Sequence, residues 1–481
     1  MMMKRLMGLL MICLVTGIFS QPSRGAGDLT RPHIVLVMAD DMGWGETSRR
    51  GHPCLKTPNL DEMSEHGLWF ERFYAGAPVC SPTRASVLTG RSNRRTGVES
   101  HGYALRLQEK TVAQALKSIG YVTGHFGKWH LNGMRGPGVP ILGEDPYRPD
   151  QFGFDEWLSV TNFFDRDPLL SRQGKIEDYT GDSSEVVVGQ ALDFLSRNHQ
   201  QPTFTIIWYG TPHSPFRAAP EDYAPFTDLD EQSMHHYGEL VAMDRSIGTL
   251  RKGLADLGMT ENTLLWFCSD NGGLPKITPE TVGGLRGFKG SLYEGGLRVP
   301  CIIEWPARIK QPRTTEFPGV TMDIFPTIAE ITGLSESTMI DPIDGVSLVP
   351  LFDREIIQRD KPIGFQCLGN TSLLKQDQKI MYVTNRGKKS IELYDLSQDP
   401  HEEHNLYSQD NPEAVALQKQ LDDWIASVNR SIEGKDYPAG KVDPPTPEPR
   451  GWNQVEAYQK YFPEWSQRWE YEGWLKRNTR E

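Results

Sequence analysis

A set of short apolar runs constrains this chain more than any other feature. His33-Ile34-Val35-Leu36-Val37-Met38 is almost continuously apolar and rich in β-branched side chains. That is the pattern of a strand buried on both faces. Thr203 to Tyr209, Thr263 to Cys268 and Val299 to Glu304 read the same way, and Tyr121 to Phe126 reads as a shorter strand. Helical patterns separate them. Thr57-Pro58 opens a helix with Leu60 and Met63 on one face, and Thr111 with Gln114 resembles a capping box ahead of Val112, Leu116 and Ile119. Ser184 to Arg197 and His236 to Leu257 continue the alternation. Strands alternating with helices predict an α/β fold: a large mixed, mostly parallel sheet sandwiched by helices.

The polar residues are not scattered over this frame. Asp40 and Asp41 follow the first strand, Lys128 and His130 a second, His213 a third, and Asp270 and Asn271 a fourth. In open α/β sheets the C-terminal strand ends converge on the ligand crevice. Four polar clusters at four such ends predict one site. Asp40, Asp41, Asp270 and Asn271 are hard oxygen donors suited to Ca²⁺ or Mg²⁺, and no His/Cys spacing typical of zinc is present. Adjacent Asp residues on a regular strand face opposite ways, so both reach one ion only where the strand has ended.

The remaining chemistry lies in Cys80-Ser81-Pro82-Thr83-Arg84-Ala85-Ser86-Val87-Leu88-Thr89-Gly90-Arg91. Pro82 suits an early helical position, and Ala85, Val87 and Leu88 read as a short buried helix that Gly90 ends. Cys80 then lies at a helix N-terminus, where backbone N–H groups and the helix dipole favour negative charge. Arg84, one turn on, falls on the same face.

This stretch resembles the signature of the type I sulfatases of the alkaline phosphatase superfamily, of the arylsulfatase and N-acetylgalactosamine-6-sulfatase kind. Gly127-Lys128-Trp129-His130, the Arg286 to Pro300 segment around Lys289, and Ile391 to Leu406 carry the same resemblance, which covers roughly residues 30 to 410. It implies that Cys80 is oxidised to formylglycine by a maturation enzyme before folding, and that the aldehyde hydrate is the nucleophile. It further implies one calcium ion held by Asp40, Asp41, Asp270, Asn271 and the oxidised Cys80. In that family pattern Asp270 takes the nucleophile's proton, and His213 or Lys289 protonates the leaving oxygen. His130 takes the proton of the second hydroxyl, and Arg84 and Lys128 hold the diol. The implied substrate is a sulfate ester, small molecule or glycan. The competing readings are a phosphomonoester or phosphodiester hydrolase of the same superfamily and a non-catalytic glycan-binding relative. Specificity is expected from Trp44, Arg91, Arg94, Arg95, His101 and residues 131–181, which read as long loops without a clear period; Arg94-Arg95 also reads as solvated charge.

Composition bounds the partners. The chain has 481 residues and a formal net charge of −12, which argues against nucleic acid but not against a small anion in a local basic pocket. Lys4 and Arg5 precede an apolar run from Leu6 to Phe19 with small residues after it. This reads as a cleaved signal peptide, residues 1–26, and predicts a secreted or periplasmic protein with no membrane span. Five cysteines beyond that segment are too few for a disulfide framework, and Cys268 and Cys301 read as buried thiols. A catalytic domain is expected over 27–360, with a smaller α+β subdomain over 361–430. There Lys379 to Thr384 and Ser390 to Asp395 alternate like antiparallel strands ahead of an amphipathic helix from Glu413 to Val428. A Pro- and Trp-containing tail, 431–481, with Trp452, Trp465, Trp469 and Trp474, is expected to pack on the body.

Overall fold

The computed structural model describes residues 31–385 and 387–477. The expected signal peptide lies outside them. Ten strands form the main sheet: β1 (His33–Ala39), β2 (Leu68–Phe70), β3 (Val122–Lys128), β4 (Glu156–Val160), β5 (Leu169–Arg172), β6 (Lys175–Asp178), β7 (Thr203–Trp208), β8 (Thr263–Ser269), β9 (Cys301–Glu304) and β10 (Arg313–Thr315). Their spatial order is β10-β2-β9-β8-β1-β7-β3-β4-β5-β6. The central five, β8-β1-β7-β3-β4, are parallel, and β9 and β5 turn antiparallel on either side. This is the expected α/β architecture, a large mixed, mostly parallel sheet.

β1 shows why the sheet is sandwiched. Ile34, Leu36 and Met38 enter one hydrophobic core and Val35, Val37 and Ala39 the other, all essentially sealed from solvent. Alternate residues of a strand face opposite ways, so a run with no polar gap needs cover on both sides. On the first side lie α2 (Cys80–Thr89) and α3 (Val112–Ser118); α1 (Pro58–His66), α4 (Ser183–Asn198) and α5 (Glu231–Asp256) cover the second. The local signals hold. Thr111 and Gln114 form a reciprocal capping box, Pro58 starts α1, and Gly90 ends α2 with φ 70.

Residues 131–181 differ from the expected loops, because they contain β4, β5 and β6 and extend the sheet to its edge. β5 and β6 are four residues each and join through Gln173 and Gly174, both at positive φ. Strands so short carry no readable period, and their pairing partner is supplied by tertiary context. α5 also begins five residues before the expected His236, capped by Asp230.

A second sheet of four antiparallel strands, β11 (Ile363–Cys367), β12 (Asn370–Lys375), β13 (Gln378–Asn385) and β14 (Lys388–Asp395), follows the main one. Ile363, Phe365, Leu374 and Met381 pack on the body beside Val79 and Leu292. Leu373, Ile380 and Leu393 pack on Leu417 and Leu421 of α6 (Pro412–Ile432). Trp452 and Trp465 of the tail are buried against Met134, Val139 and Leu142. Cys268 and Cys301 are buried free thiols, paired in register on β8 and β9.

Arg91 and Arg95 correct an expectation. Neither is solvated or turned to substrate. Arg91 is sealed beside Glu109 and Asp436, and Arg95 donates to Asp344 at 2.8 Å and to Ser431 of α6 at 2.8 Å. A buried guanidinium must be paired, and here the pairs fasten the C-terminal helix to the body. Arg95→Ala strands Asp344 without its partner and should lower stability by about 3–5 kcal/mol. An unchanged denaturant midpoint for that variant would remove the structural role given to Arg95.

Candidate active site

β8, β1, β7 and β3 lie side by side and end together, so the four polar clusters meet. Ala39 pairs with Ser269 and Met38 with Trp208, which sets Asp40, Asp270 and the loop to His213 at one level. Backbone bonds tie these ends: Asp270 N to Ala39 O at 3.1 Å and Asp40 N to Thr211 O at 3.0 Å. Asp41 has φ 74. The strand has ended, and the left-handed turn aims Asp41 at the side Asp40 already faces. Gly127, one residue before Lys128, has φ 107, and a Cβ there would fall 1.9 Å from Trp208 O. Only glycine lets β3 approach β7 so closely ahead of its lysine.

Cys80 is the first residue of α2, with Val79 as an N-cap that supplies no side-chain hydrogen bond. Thr83 fixes the entry by donating to Ala77 O at 2.8 Å and accepting from Ala77 N at 3.1 Å. Ligand atoms of Cys80, Asp40, Asp41 and His213 lie within 4.8 Å of one another. Asp270, Asn271, Arg84, Lys128 and Lys289 surround them. Lys128 Nζ donates to Asp40 Oδ2 at 2.6 Å, and Lys289 Nζ lies 2.6 Å from Asp41 Oδ1. Arg84 Nη2 donates to Asp270 Oδ2 at 2.7 Å, and the Arg84 guanidinium lies over Trp208 at 5.0 Å. Asn271 Nδ2 donates to Asp41 Oδ1 at 2.8 Å.

Burial and charge oppose each other here. Burial raises the Asp40 carboxyl, and Lys128, His213 and Arg84 outweigh it, so Asp40 stays below its ordinary value. Asp41 follows the same logic, with Lys289 as the main opposing charge. Asp270 goes the other way, because burial and the neighbouring Asp40 outweigh Arg84. Burial works against the Lys289 ammonium, yet Asp41, Cys80 and Asp40 carry it above its ordinary value. Burial pushes the Cys80 thiol up to about 12. As a thiol it is therefore protonated at neutral pH, and the thiolate is the nucleophilic form. His130 is held well below its ordinary value by burial and by Lys128.

Two buried oxygens of this cluster accept no hydrogen bond among the described residues: Asp40 Oδ1, which Arg84 Nη2 approaches only to 3.8 Å, and Asn271 Oδ1. Both belong to the residues expected to bind a hard cation. Oxygen donors left open among three carboxylates fit such an ion, since a buried unpaired oxygen is costly. Three carboxylates face Arg84, Lys128 and Lys289. The pairs cancel, and a divalent ion would make the pocket net positive, as an anionic substrate requires.

Every residue named from the sequence as catalytic or metal-binding lies in this cluster. His101 joins it as well, stacked on His130 at 6.3 Å. Ser81 Oγ accepts from Gly102 N at 2.9 Å and sets that loop. Trp44 is instead wedged between Arg50 and Arg298, at 3.8 and 4.6 Å from their guanidinium carbons, and donates to Glu71 O. Arg94 pairs with Glu99. Two supporting groups carried no sequence signal. Phe163 stacks on His213 at 4.5 Å and 9°. Glu46 accepts from Gly43 N at 2.7 Å and from His236, bracing the turn after Asp41.

The arrangement matches known proteins. The sulfatase family model matches residues 32–334. The chain belongs to the sulfatase family, enzymes that hydrolyse sulfate esters. The N-acetylgalactosamine-6-sulfatase of Canis lupus familiaris is 33% identical over 360 residues, 68% of this chain and 66% of that protein. Human arylsulfatase A is 31% identical over 359 residues, 66% of this chain and 67% of its own length. Both matches span about two thirds of the relative. Among solved structures, Ps i-CgsB in complex with k-i-k-neocarrahexaose superposes with a TM-score of 0.73 at 24% identity, covering 85% of this chain and 97% of that one.

Phe163 holds this sulfatase's His213 ring flat through an aromatic stack of the kind worth about 0.5–1.5 kcal/mol. Phe163→Ala should therefore lower kcat on a sulfate ester by about two- to tenfold. Wild-type kcat in that variant would show that the ring is held by its Ser214 contact alone.

Proposed function

We propose that this sulfatase hydrolyses sulfate esters of carbohydrates, using a formylglycine made from Cys80 and one bound calcium ion, with magnesium as the alternative ion. The observation that carries the reading is the position of Cys80. It is a sealed, neutral thiol at a helix N-terminus, packed against three carboxylates and three cations that have no use for a thiol. Formylglycine hydrate supplies an oxygen nucleophile with a second hydroxyl for the later elimination, and the cation supplies positive charge at the sulfate oxygens. Asp40, Asp41, Asp270 and Asn271 would hold that cation.

The chain's own groups fit the remaining tasks. Asp270, the carboxyl raised above its ordinary value, is suited to take a proton at its Oδ atoms. His130 is uncharged at neutral pH with Nδ1 unpartnered, so it can accept the proton whose loss expels sulfate. His213 Nδ1 lies 2.5 Å from Ser214 O, which leaves Nε2 facing the pocket 3.7 Å from Asp41. From there His213, or Lys289 beside it, serves the leaving oxygen. Arg84, Lys128 and Lys289 are already in place where charge develops, so no reorganisation is needed during reaction. The sealed walls exclude bulk water from the nucleophile.

Carbohydrate is the substrate class because the relatives' names point there: an N-acetylgalactosamine-6-sulfatase and a structure holding a neocarrahexaose. The same reading assigns 27–360 to the catalytic domain, 361–430 to the antiparallel subdomain and 431–481 to the tail. It makes residues 1–26 a signal for export, places the protein outside the cytosol, and requires a maturation enzyme that acts before folding. No helix among the described residues is long and apolar enough to cross a membrane.

Two measurements test this. Protein made with a maturation enzyme should show an aldehyde at position 80 by peptide mass spectrometry, while Cys80→Ala should release no sulfate. Asp41→Ala should lose about 10²–10³ in kcat, as when one transition-state electrostatic partner is removed, and exhaustive chelation should have a similar effect. Full activity in either variant, or after chelation, ends the proposed mechanism. Separately, sulfate release from sulfated saccharides should exceed that from aryl sulfates in kcat/KM. An aryl sulfate preferred tenfold, roughly 1.4 kcal/mol of transition-state preference, would reject the sugar.

A further inference from the structure

Asp41 stands on a strained piece of backbone. Its φ of 74 is uncommon for a residue with a side chain and persists only where the surroundings hold it. Much depends on that position. Asp41 N donates to Asp270 Oδ1 at 3.2 Å, and the Asp41 carboxylate meets Lys289 and the Asn271 amide. Displacing the Asp41 backbone would therefore disturb two of the carboxylates expected to hold the cation.

The turn after Asp41 is held from behind. Gly43 N donates to Glu46 Oε2 at 2.7 Å, and Glu46 N donates back to Gly43 O at 3.1 Å. Glu46 Oε1 lies 2.5 Å from His236 Nε2 of α5, and both side chains are fully sealed. Phe216 packs edge-on to that imidazole at 5.0 Å, and His236 Nδ1 is buried without a hydrogen-bond partner. Burying a carboxyl group is costly unless its bonds are made, and burial pushes Glu46 above its ordinary value against the pull of His236. The side-chain bonds of Glu46 run to Gly43 and His236 and do not reach the cluster around Cys80.

The same turn is pressed onto the other half of the site. A Cβ at Gly43 would fall 2.1 Å from Thr281 O and 2.8 Å from Gly273 Cα, and one at Gly45 would fall 2.4 Å from Gly283 N. Gly45 N donates to Thr281 O at 3.0 Å, and Gly273 O accepts from Lys289 N at 3.0 Å. Close-packed interiors transmit strain. A shift at Glu46 is thus passed to the segments that carry Asp41, Asp270, Asn271 and Lys289.

We propose that Glu46 and His236 are positioning residues for the cation site: they anchor the 41–46 turn to α5 and so set the affinity for the ion. The inference rests on the bound-cation reading and adds two residues that touch neither ion nor substrate. The geometry demands reach more than charge. Gln has the length of Glu and keeps an oxygen for Gly43 N and an amide for His236 Nε2 once the ring proton sits on Nδ1. Asp keeps the charge but is one methylene too short to span Gly43 and His236.

Calorimetric titration of the matured full chain with Ca²⁺, after exhaustive chelation and without substrate, reads the ion directly. Glu46→Ala and Glu46→Asp should bind calcium about 10–100-fold more weakly than wild type, the usual cost of removing a group that supports a metal ligand. His236→Phe should fall with them, and Glu46→Gln should keep most of the wild-type affinity. Denaturant midpoints in calcium-free buffer are measured on the same variants. Lower midpoints with wild-type calcium affinity in the folded protein would mean a structural role alone and overturn the proposal. Equal calcium affinity in the Gln and Asp variants overturns it too, whether both match wild type or both fall. Should Glu46→Ala not fold, the contrast between Gln and Asp decides. Failure of the cation reading itself shows separately, as a wild-type chain that binds no calcium.

Discussion

The structure depends on pairing buried charges around Cys80. Asp40 with Lys128, Asp41 with Lys289 and Asp270 with Arg84 are largely or fully removed from solvent. Desolvating a single ion costs several kcal/mol, and removing one partner of such a pair costs about 3–5 kcal/mol. These charges therefore persist only where the backbone over-determines their positions. The parallel register of adjacent strands does this for Asp40, Asp41, Asp270 and Lys128, while α2 places Arg84 and a loop places Lys289. A site built this way is preorganised: Asp40 Oδ1 and Asn271 Oδ1, which accept no hydrogen bond among the described residues, are held in place before any ligand arrives.

Lys289 shows how far the support extends. It comes from a loop rather than a strand end, and its backbone N donates to Gly273 O at 3.0 Å. The same segment continues to Glu294, which accepts from Lys379 of β13 at 2.9 Å and from the Tyr74 hydroxyl at 2.9 Å. Glu402 holds Lys379 from the other side and accepts from Glu294 N at 2.7 Å. The second sheet is thus joined to the Lys289 loop through a buried ionic group. On the opposite flank, the tail covers the 131–181 segment with Trp452 and Trp465.

Much of this was legible in the linear chain. β1, β7 and β8 announced themselves because a strand buried on both faces reads as a near-continuous apolar run. The ends of α2 and α3 were readable because capping is a local matter, settled within four residues at Thr111 and Gln114 and by Gly90. The site residues were readable because they follow those strands directly. β4, β5 and β6 were not, since strands of four or five residues are defined by the neighbour they pair with. Arg95 looked like surface charge because its partner, Asp344, lies 249 residues away. Phe163 gave no sign of its role, because stacking on His213 depends on two loops meeting.

Sequence alone determined the family and the candidate residues for its chemistry, because each is a property of residue identity at short spacing. It also determined that the polar clusters would share a crevice, because parallel strands must end together. Tertiary structure alone decided which charges are spent on holding the fold. Arg91, Arg94 and Arg95 are alike as residues. Arg91 and Arg95 are sealed and neutralised by carboxylates brought from Asp436 and Asp344, whereas Arg94 stays half-buried with Glu99, five residues on. Whether a buried cation has a partner depends on chain segments hundreds of residues apart, and only their packing settles it.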